Sequence, residues 1–131
     1  MVTKFFYVGE GVNGPALFVR SGGGDNATVS ELVEGVENLQ VLYGEDSDSD
    51  NIPNRFVPAN IVTDFANVTA VRISLLLRSV KELPWRTTAQ KVRLLGGTSA
   101  DTATTITPPA DKRLRKTMNM TIKLRNRAFS L

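Results

Sequence analysis

Thr28-Val29-Ser30-Glu31-Leu32-Val33-Glu34-Gly35-Val36-Glu37-Asn38-Leu39-Gln40-Val41-Leu42-Tyr43-Gly44 is the stretch whose reading decides the fold. Thr28 and Glu31 have capping-box spacing, in which a hydroxyl and a later carboxylate satisfy the first free amides of a helix. Val29, Leu32, Val33 and Val36 then fall at i, i+3, i+4 and i+7, which is one stripe of an α-helix. Glu31, Glu34 and Glu37 lie off that stripe. Past Gly35 the period changes to two, with Leu39, Val41 and Tyr43 alternating with Asn38, Gln40 and Leu42. The pattern predicts a short amphipathic helix, interrupted late by Gly35, that runs straight into a strand over Leu39–Tyr43.

Working outward, the other apolar segments have strand character. Phe5-Phe6-Tyr7-Val8 and Ala16-Leu17-Phe18-Val19-Arg20 are aromatic or β-branched and are separated by a glycine-rich break, which predicts a hairpin. Ser21–Asn26 reads as a flexible loop. Val68–Arg78 is the strongest strand, with Val71, Ile73, Leu75 and Leu77 on one face and Arg72, Ser74 and Arg78 on the other. Met118, Met120, Ile122 and Leu124 alternate with polar residues over Thr117–Arg125, which predicts a strand with one buried and one wet face. Ser79–Asp111 is poorly patterned, with Lys91–Leu95 a candidate short strand. The expected fold class is α+β: one short amphipathic helix packed on an antiparallel sheet. The 131 residues, 41% of them apolar, are expected to form one domain.

Composition excludes much chemistry. There is no Cys and no His. Ser-His-Asp and Cys-His nucleophiles are therefore impossible, as are thiolate and imidazole metal sites. Nothing marks a pair of carboxylates in an aromatic cleft, so the chain is read as a non-enzyme. No apolar run approaches a membrane span, and the N-terminal segment Met1–Phe6 is too short for a signal peptide. The net charge is +3, but its layout is polar. Glu31, Glu34, Glu37, Glu45, Asp46, Asp48 and Asp50 crowd one segment, and Lys112, Arg113, Arg115, Lys116, Lys123, Arg125 and Arg127 another. Arg113, Arg115 and Lys116 have two readings, phosphate contacts or a polar lead-in to the last strand. Trp85 is either a partner anchor or a packing residue.

One cluster can take a metal. Asp46-x-Asp48-x-Asp50 has the spacing that opens an EF-hand loop, where alternate carboxylates converge on Ca²⁺. Asn51 then stands where that loop has Gly, and Val57 where it has its bidentate Glu. Asn accepts left-handed backbone angles, so the first departure is tolerable. A different ligand set adds the Ile52 carbonyl and the Asn54 side chain to Asp46, Asp48 and Asp50. Two readings stand: a structural Ca²⁺ site, or a solvated acidic hairpin loop. In the first, the cation relieves repulsion among Glu45, Asp46, Asp48 and Asp50.

Three segments together carry a family resemblance. Glu31–Gly44 followed by the acidic run Glu45–Asp50 resembles the helix-to-strand segment and Asp-rich loop of PilW-type minor pilins. Val68–Ser79 is similar to that family's central strand, and Lys112–Arg127 to its closing strand. The Leu-Val-Glu-Gly-Val phrase also resembles type II secretion pseudopilins of the GspJ kind. The resemblance implies a pilin-like globular head and a structural role in type IV pilus assembly, in a priming or tip complex with other minor pilins and pilus-assembly proteins. It implies the periplasmic face of the inner membrane, then the pilus, in a Gram-negative cell, with adhesion, twitching motility or DNA uptake as outcomes. It also implies a leader and an apolar membrane helix upstream of Met1, the only expected route to the membrane; direct nucleic-acid binding is not expected. The alternatives are a pseudopilin and a calcium-stabilised secreted adhesin or binding module. Partner contacts are expected on the Asp46–Asn54 loop, the Ser79–Asp111 segment and exposed sheet edges, and replacing Ser79–Asp111 by a short linker is expected to keep the fold.

Overall fold

The computed structural model describes residues 3–85, 91–95 and 104–125. Nine strands follow one another: β1 (Lys4–Gly11), β2 (Gly14–Ser21), β3 (Thr28–Glu34), β4 (Val36–Glu45), β5 (Arg55–Val57), β6 (Val68–Arg78), β7 (Val92–Leu94), β8 (Thr104–Ile106) and β9 (Arg115–Lys123). They form a three-stranded sheet in the order β1-β2-β3, a four-stranded sheet in the order β5-β4-β6-β9, and the pair β7-β8. The β1-β2, β2-β3 and β4-β5 pairs are antiparallel. The chain gathers into two compact units, one of residues 1–39, 75–92 and 107–117, the other of 40–74, 93–106 and 118–131.

The fold is therefore β-sheet and not α+β. Among the described residues the only helical turns are the three-residue 3-10 turns Gly24–Asn26 and Phe65–Asn67. The predicted amphipathic helix is β3, and the reason lies in its register. Leu17 pairs with Val33 while the next residue, Phe18, pairs with Glu31. Leu32 is thus the extra residue of a β-bulge. A bulge inserts one residue into a period of two, so the phase of the side chains reverses across it. Val29 falls on the face of Phe18, and Val33 on the face of Leu17. The spacing of Val29, Leu32 and Val33 that imitates a helical stripe is a strand with its phase shifted once. β-branched Thr28, Val29 and Val33 suit that conformation better than a helix.

Gly35 then turns the chain from one sheet into the other. Its φ is +78°, in the left-handed region. Its N–H donates to the carbonyl of Pro15 in β2 at 2.8 Å, and its own carbonyl accepts from the N–H of Arg78 in β6 at 2.7 Å. A Cβ here would lie 2.6 Å from the Arg78 carbonyl oxygen. Val36, immediately after it, is wholly buried, as are Ala16 and Leu76 in the same unit. In the other unit Leu42, Val68, Ala70, Leu94 and Leu95 are buried.

The remaining strand expectations fare unevenly. The Phe5–Arg20 hairpin is β1 and β2, Val68–Arg78 is β6 residue for residue, Leu39–Tyr43 lies inside β4, and β7 falls within Lys91–Leu95. The last strand exists as β9, but Met118, Met120, Ile122 and Leu124 are exposed where a buried face was expected. β9 ends its sheet's strand order, and alternation reports which side of a strand is apolar, not whether anything covers it.

Gly35→Ala is expected to destabilise the fold by about 2–4 kcal/mol, through a left-handed angle unfavourable for a side chain and a clash with backbone. The check is the urea midpoint at unchanged slope, with Gly23→Ala, whose Cβ would meet nothing within 4 Å, as the neutral reference.

Candidate functional site

The acidic loop leaves the end of β4 and returns in β5. Asn54 N–H donates to the Glu45 carbonyl at 2.9 Å, which closes the hairpin, and Asp46 N–H donates to the Asn67 carbonyl at 2.9 Å. Inside it the chain curls around Asp46, which is buried. Asp46 Oδ1 accepts from the amides of Asp48 at 3.2 Å and Ser49 at 2.7 Å, and Oδ2 accepts from the amide of Asn51 at 2.9 Å. Ser49 and Asn51 both take left-handed angles, φ 65° and 66°, to point those amides inward. Asn51 is thus where its residue type suits the backbone, as the sequence reading expected.

Asp48 and Asp50 project from the curled loop. One carboxylate oxygen from each of Asp46, Asp48 and Asp50 lies within 4.8 Å of the others. Asp50 Oδ1 accepts from the Ile52 amide at 2.7 Å. Asn54 bridges the loop: its Oδ1 accepts from the Ser47 amide at 2.6 Å and the Ser47 hydroxyl at 3.0 Å, and its Nδ2 donates to Asp48 Oδ2 at 3.2 Å. The fold thus brings Asp46, Asp48 and Asp50 together. It turns the Asn54 oxygen to Ser47 and its nitrogen to Asp48. Ile52 meets the cluster through its amide, and its side chain is exposed.

Burial pushes the Asp46 carboxyl up, but the amides of Asn51 and Ser49 outweigh it, and the group sits below the ordinary carboxylate range. Glu45, also buried, anchors the base of the loop. Its Oε2 takes Nε and Nη2 of Arg55 at 3.0 and 2.6 Å, and its Oε1 accepts the amides of Thr63 and Asp64 at 2.9 and 3.0 Å. The Arg55 guanidinium, with the Asp64 and Thr63 amides, holds this carboxyl low against burial. Along the sequence Glu45 is one of four neighbouring acids that repel one another. Its real partners lie 10, 18 and 19 residues on, and no local spacing announces them.

The basic segment is not a free cationic patch. Arg115 has 5% of its side chain exposed and is gripped from two sides. Nε and Nη2 donate to Glu37 at 2.7 Å each, and Nη1 and Nη2 donate to Asp111 at 2.7 Å each. Arg78 adds a longer ion pair to Glu37 at 3.5 Å. Such paired fork geometry gives direction as well as charge. Arg115 holds Asp111 well below the usual carboxylate range, and Asp111 and Glu37 raise the guanidinium in turn. Arg113 donates to the carbonyls of Ser79 and Val80. Two of the three candidate phosphate contacts thus bind the chain itself; Lys116 is exposed.

Ser79–Asp111 is likewise no detachable loop. Leu94 and Leu95 are buried, the Leu95 amide donates to Ser74 Oγ at 3.3 Å, and Asp111 holds Arg115. Replacing the segment would remove core, which corrects the expectation that the fold survives it. Part of it, 86–90 and 96–103, lies outside the described residues. Trp85 is 78% exposed, so it is not a core residue.

Comparison with protein families matches residues 5–126 to PilW, Type IV Pilus-assembly protein W. The chain belongs to this family and has a role in type IV pilus assembly, which entails interaction with other pilus-assembly components. No curated protein and no solved structure matches it.

Arg115→Met is expected to cost about 2–4 kcal/mol, since it leaves part-buried Glu37 only its longer pair with Arg78 and part-buried Asp111 only Arg113. Asp111 is depressed in the folded state, so its contribution is complete above the unfolded value, about 4, and is lost as pH falls below it. Melting temperature should therefore fall from pH 5 towards pH 2, and less steeply in Asp111→Asn.

Proposed function

We propose that this chain is a structural minor pilin: a β-rich head that contributes selective contacts, without catalysis, to a priming or tip complex with other minor pilins. The observation that carries this reading is the PilW match across residues 5–126. The proposed setting is the periplasmic face of the inner membrane and then the pilus. The way the charged side chains are used supports a binding role. Glu37, Asp111 and Arg115 are spent on holding strands, whereas Asp48 and Asp50 stand exposed on an ordered loop. Rigid scaffold with an exposed, ordered loop is the arrangement that recognition surfaces favour.

The test is co-purification. Tagged wild type and the double variant Asp48→Ala, Asp50→Ala are each presented with the other minor pilins of the same cell. The wild type should retain them, and the variant should lose at least one while keeping its far-UV spectrum. Full retention by the variant moves recognition off this loop, and no retention by the wild type removes the minor-pilin reading.

The same loop is proposed to take Ca²⁺ as a structural ion through Asp46, Asp48 and Asp50, with the Ile52 carbonyl. Ca²⁺ accepts six to eight oxygens at about 2.3–2.6 Å, so carboxylate oxygens within 4.8 Å of one another can share one ion. The Asn54 oxygen joins only by leaving Ser47. Ca²⁺ at millimolar concentration should raise the melting temperature over that in EDTA, because an ion that binds only the folded loop stabilises it. Asp48→Asn is the informative variant, since Asp48 is exposed. It should abolish the shift and leave the EDTA melt nearly unchanged. Asp46→Asn should lower the melt even in EDTA, because Asp46 orders the loop by itself.

A further inference from the structure

β1 is an outer strand, and among the described residues nothing pairs with its free edge. The orientation of that edge follows from its ladder with β2. The Thr3 carbonyl accepts from the Gly22 amide at 3.1 Å, and the register from Lys4↔Ser21 to Gly11↔Gly14 has no shift. Odd-numbered residues therefore turn their backbone groups towards β2. The amides and carbonyls of Lys4, Phe6, Val8 and Glu10 point outward.

Most edges of this fold carry devices that discourage pairing with themselves. β3 has Glu31, Glu34 and a bulge, β9 has Lys116 and Lys123, and β5 is three residues long. β1 has none of these. It is eight residues of regular strand without proline, and its charges, Lys4 and Glu10, stand only near its ends. Between them Phe5 and Phe6 are 57% and 56% exposed, on opposite faces of the sheet.

We propose that β1 is the interface of a homodimer, in which β1 of a second copy adds antiparallel about a two-fold axis at Tyr7. This register places Lys4 opposite Glu10, Phe5 opposite Gly9, Phe6 opposite Val8, and Tyr7 opposite its own counterpart. Every outward backbone group from Lys4 to Glu10 then finds a partner, since the pairs of even-numbered residues are the hydrogen-bonded ones. The charges select the register. Lys4 and Glu10 make no ion pair within the described chain, and the two-fold axis turns them into two ion pairs. Phe5 meets Gly9 across the interface, where the stacked Tyr7 and Phe18 rings already lie, so it adds a third ring to that pair. A parallel alignment, by contrast, would set Lys4 beside Lys4 and Glu10 beside Glu10. The two three-stranded sheets become one continuous sheet, and the exposed phenylalanines gain neighbours on both faces. β1 shares no residue with the acidic loop, so the proposal stands or falls apart from the calcium reading.

Sedimentation of the full chain over a range of concentrations tests it, with folding followed by far-UV circular dichroism. The wild type is expected to show a monomer–dimer equilibrium. Val8→Pro removes an outward amide and no bond to β2, so it should give a monomer with the strand ladder intact. Lys4→Glu and Glu10→Lys should each weaken the dimer about tenfold, by making like charges face each other, and the double exchange should restore it. Tyr7→Cys supplies a further reading that does not depend on proline being accommodated. Non-hydrogen-bonded antiparallel partners have Cα atoms about 4.5 Å apart, within disulfide range. The chain has no other cysteine, so mild oxidation should yield one covalent dimer. Phe5→Cys, facing Gly9, should not cross-link. A monomer at all concentrations overturns the proposal. So does a dimer indifferent to Val8→Pro and to both charge reversals, or a Tyr7→Cys protein that stays uncoupled while dimeric.

Discussion

Gly35 is the residue on which the rest of the chain's path depends. It gives its amide to Pro15 in the three-stranded sheet and its carbonyl to Arg78 in the four-stranded one. One peptide thus ties into two hydrogen-bond ladders that run in different sheets. This requires φ +78° and leaves no space for a Cβ. Both conditions select glycine, one through backbone sterics and the other through close approach. β3 and β4 are consequently separate strands with one residue between them, each in its own sheet. The wholly buried Val36 follows directly from that turn.

A second layer of order comes from carboxylates that hold backbone or guanidinium. Asp46 gathers three amides of its own loop, Glu45 fixes Arg55 and the Thr63–Asp64 turn, and Glu37 with Asp111 holds Arg115. In each case an anion is matched to donors already fixed in direction, and Asp46, Glu45 and Asp111 are held below their ordinary pKa by them. The cost of burying the charge is offset by several short hydrogen bonds at once. This is how a chain with few fully buried large side chains specifies long connections. It also separates the acids of this loop that serve the fold, Glu45 and Asp46, from Asp48 and Asp50, which stand exposed.

Much of the sheet was legible from residue type alone. β1, β2, β6 and β9 announce themselves by alternation and by aromatic or β-branched content, and β6 has the predicted ends. The acidic cluster was legible too, because Asp46, Asp48 and Asp50 take alternate positions in one short loop. The helix reading failed at one residue, Leu32. Its bulge shifts a two-residue period into an imitation of a helical one, and the shift arises only from pairing with Leu17 and Phe18. Glu37 and Arg115 stand 78 residues apart, so neither can be recognised as the other's partner from local pattern.

By itself the sequence determined that this protein has no cysteine or histidine chemistry, that most of its apolar segments are extended, and that it carries the segments of a pilus-assembly family. Those properties follow from composition, from period and from order along the chain, all of which are local or linear. The tertiary structure decided which sheet each strand joins, that the Val29–Val36 stripe is a bulged strand and a turn, and which charges are spent inside the fold. These depend on long-range pairing, where a donor's worth is set by what lies across the ladder and not by its neighbours in sequence.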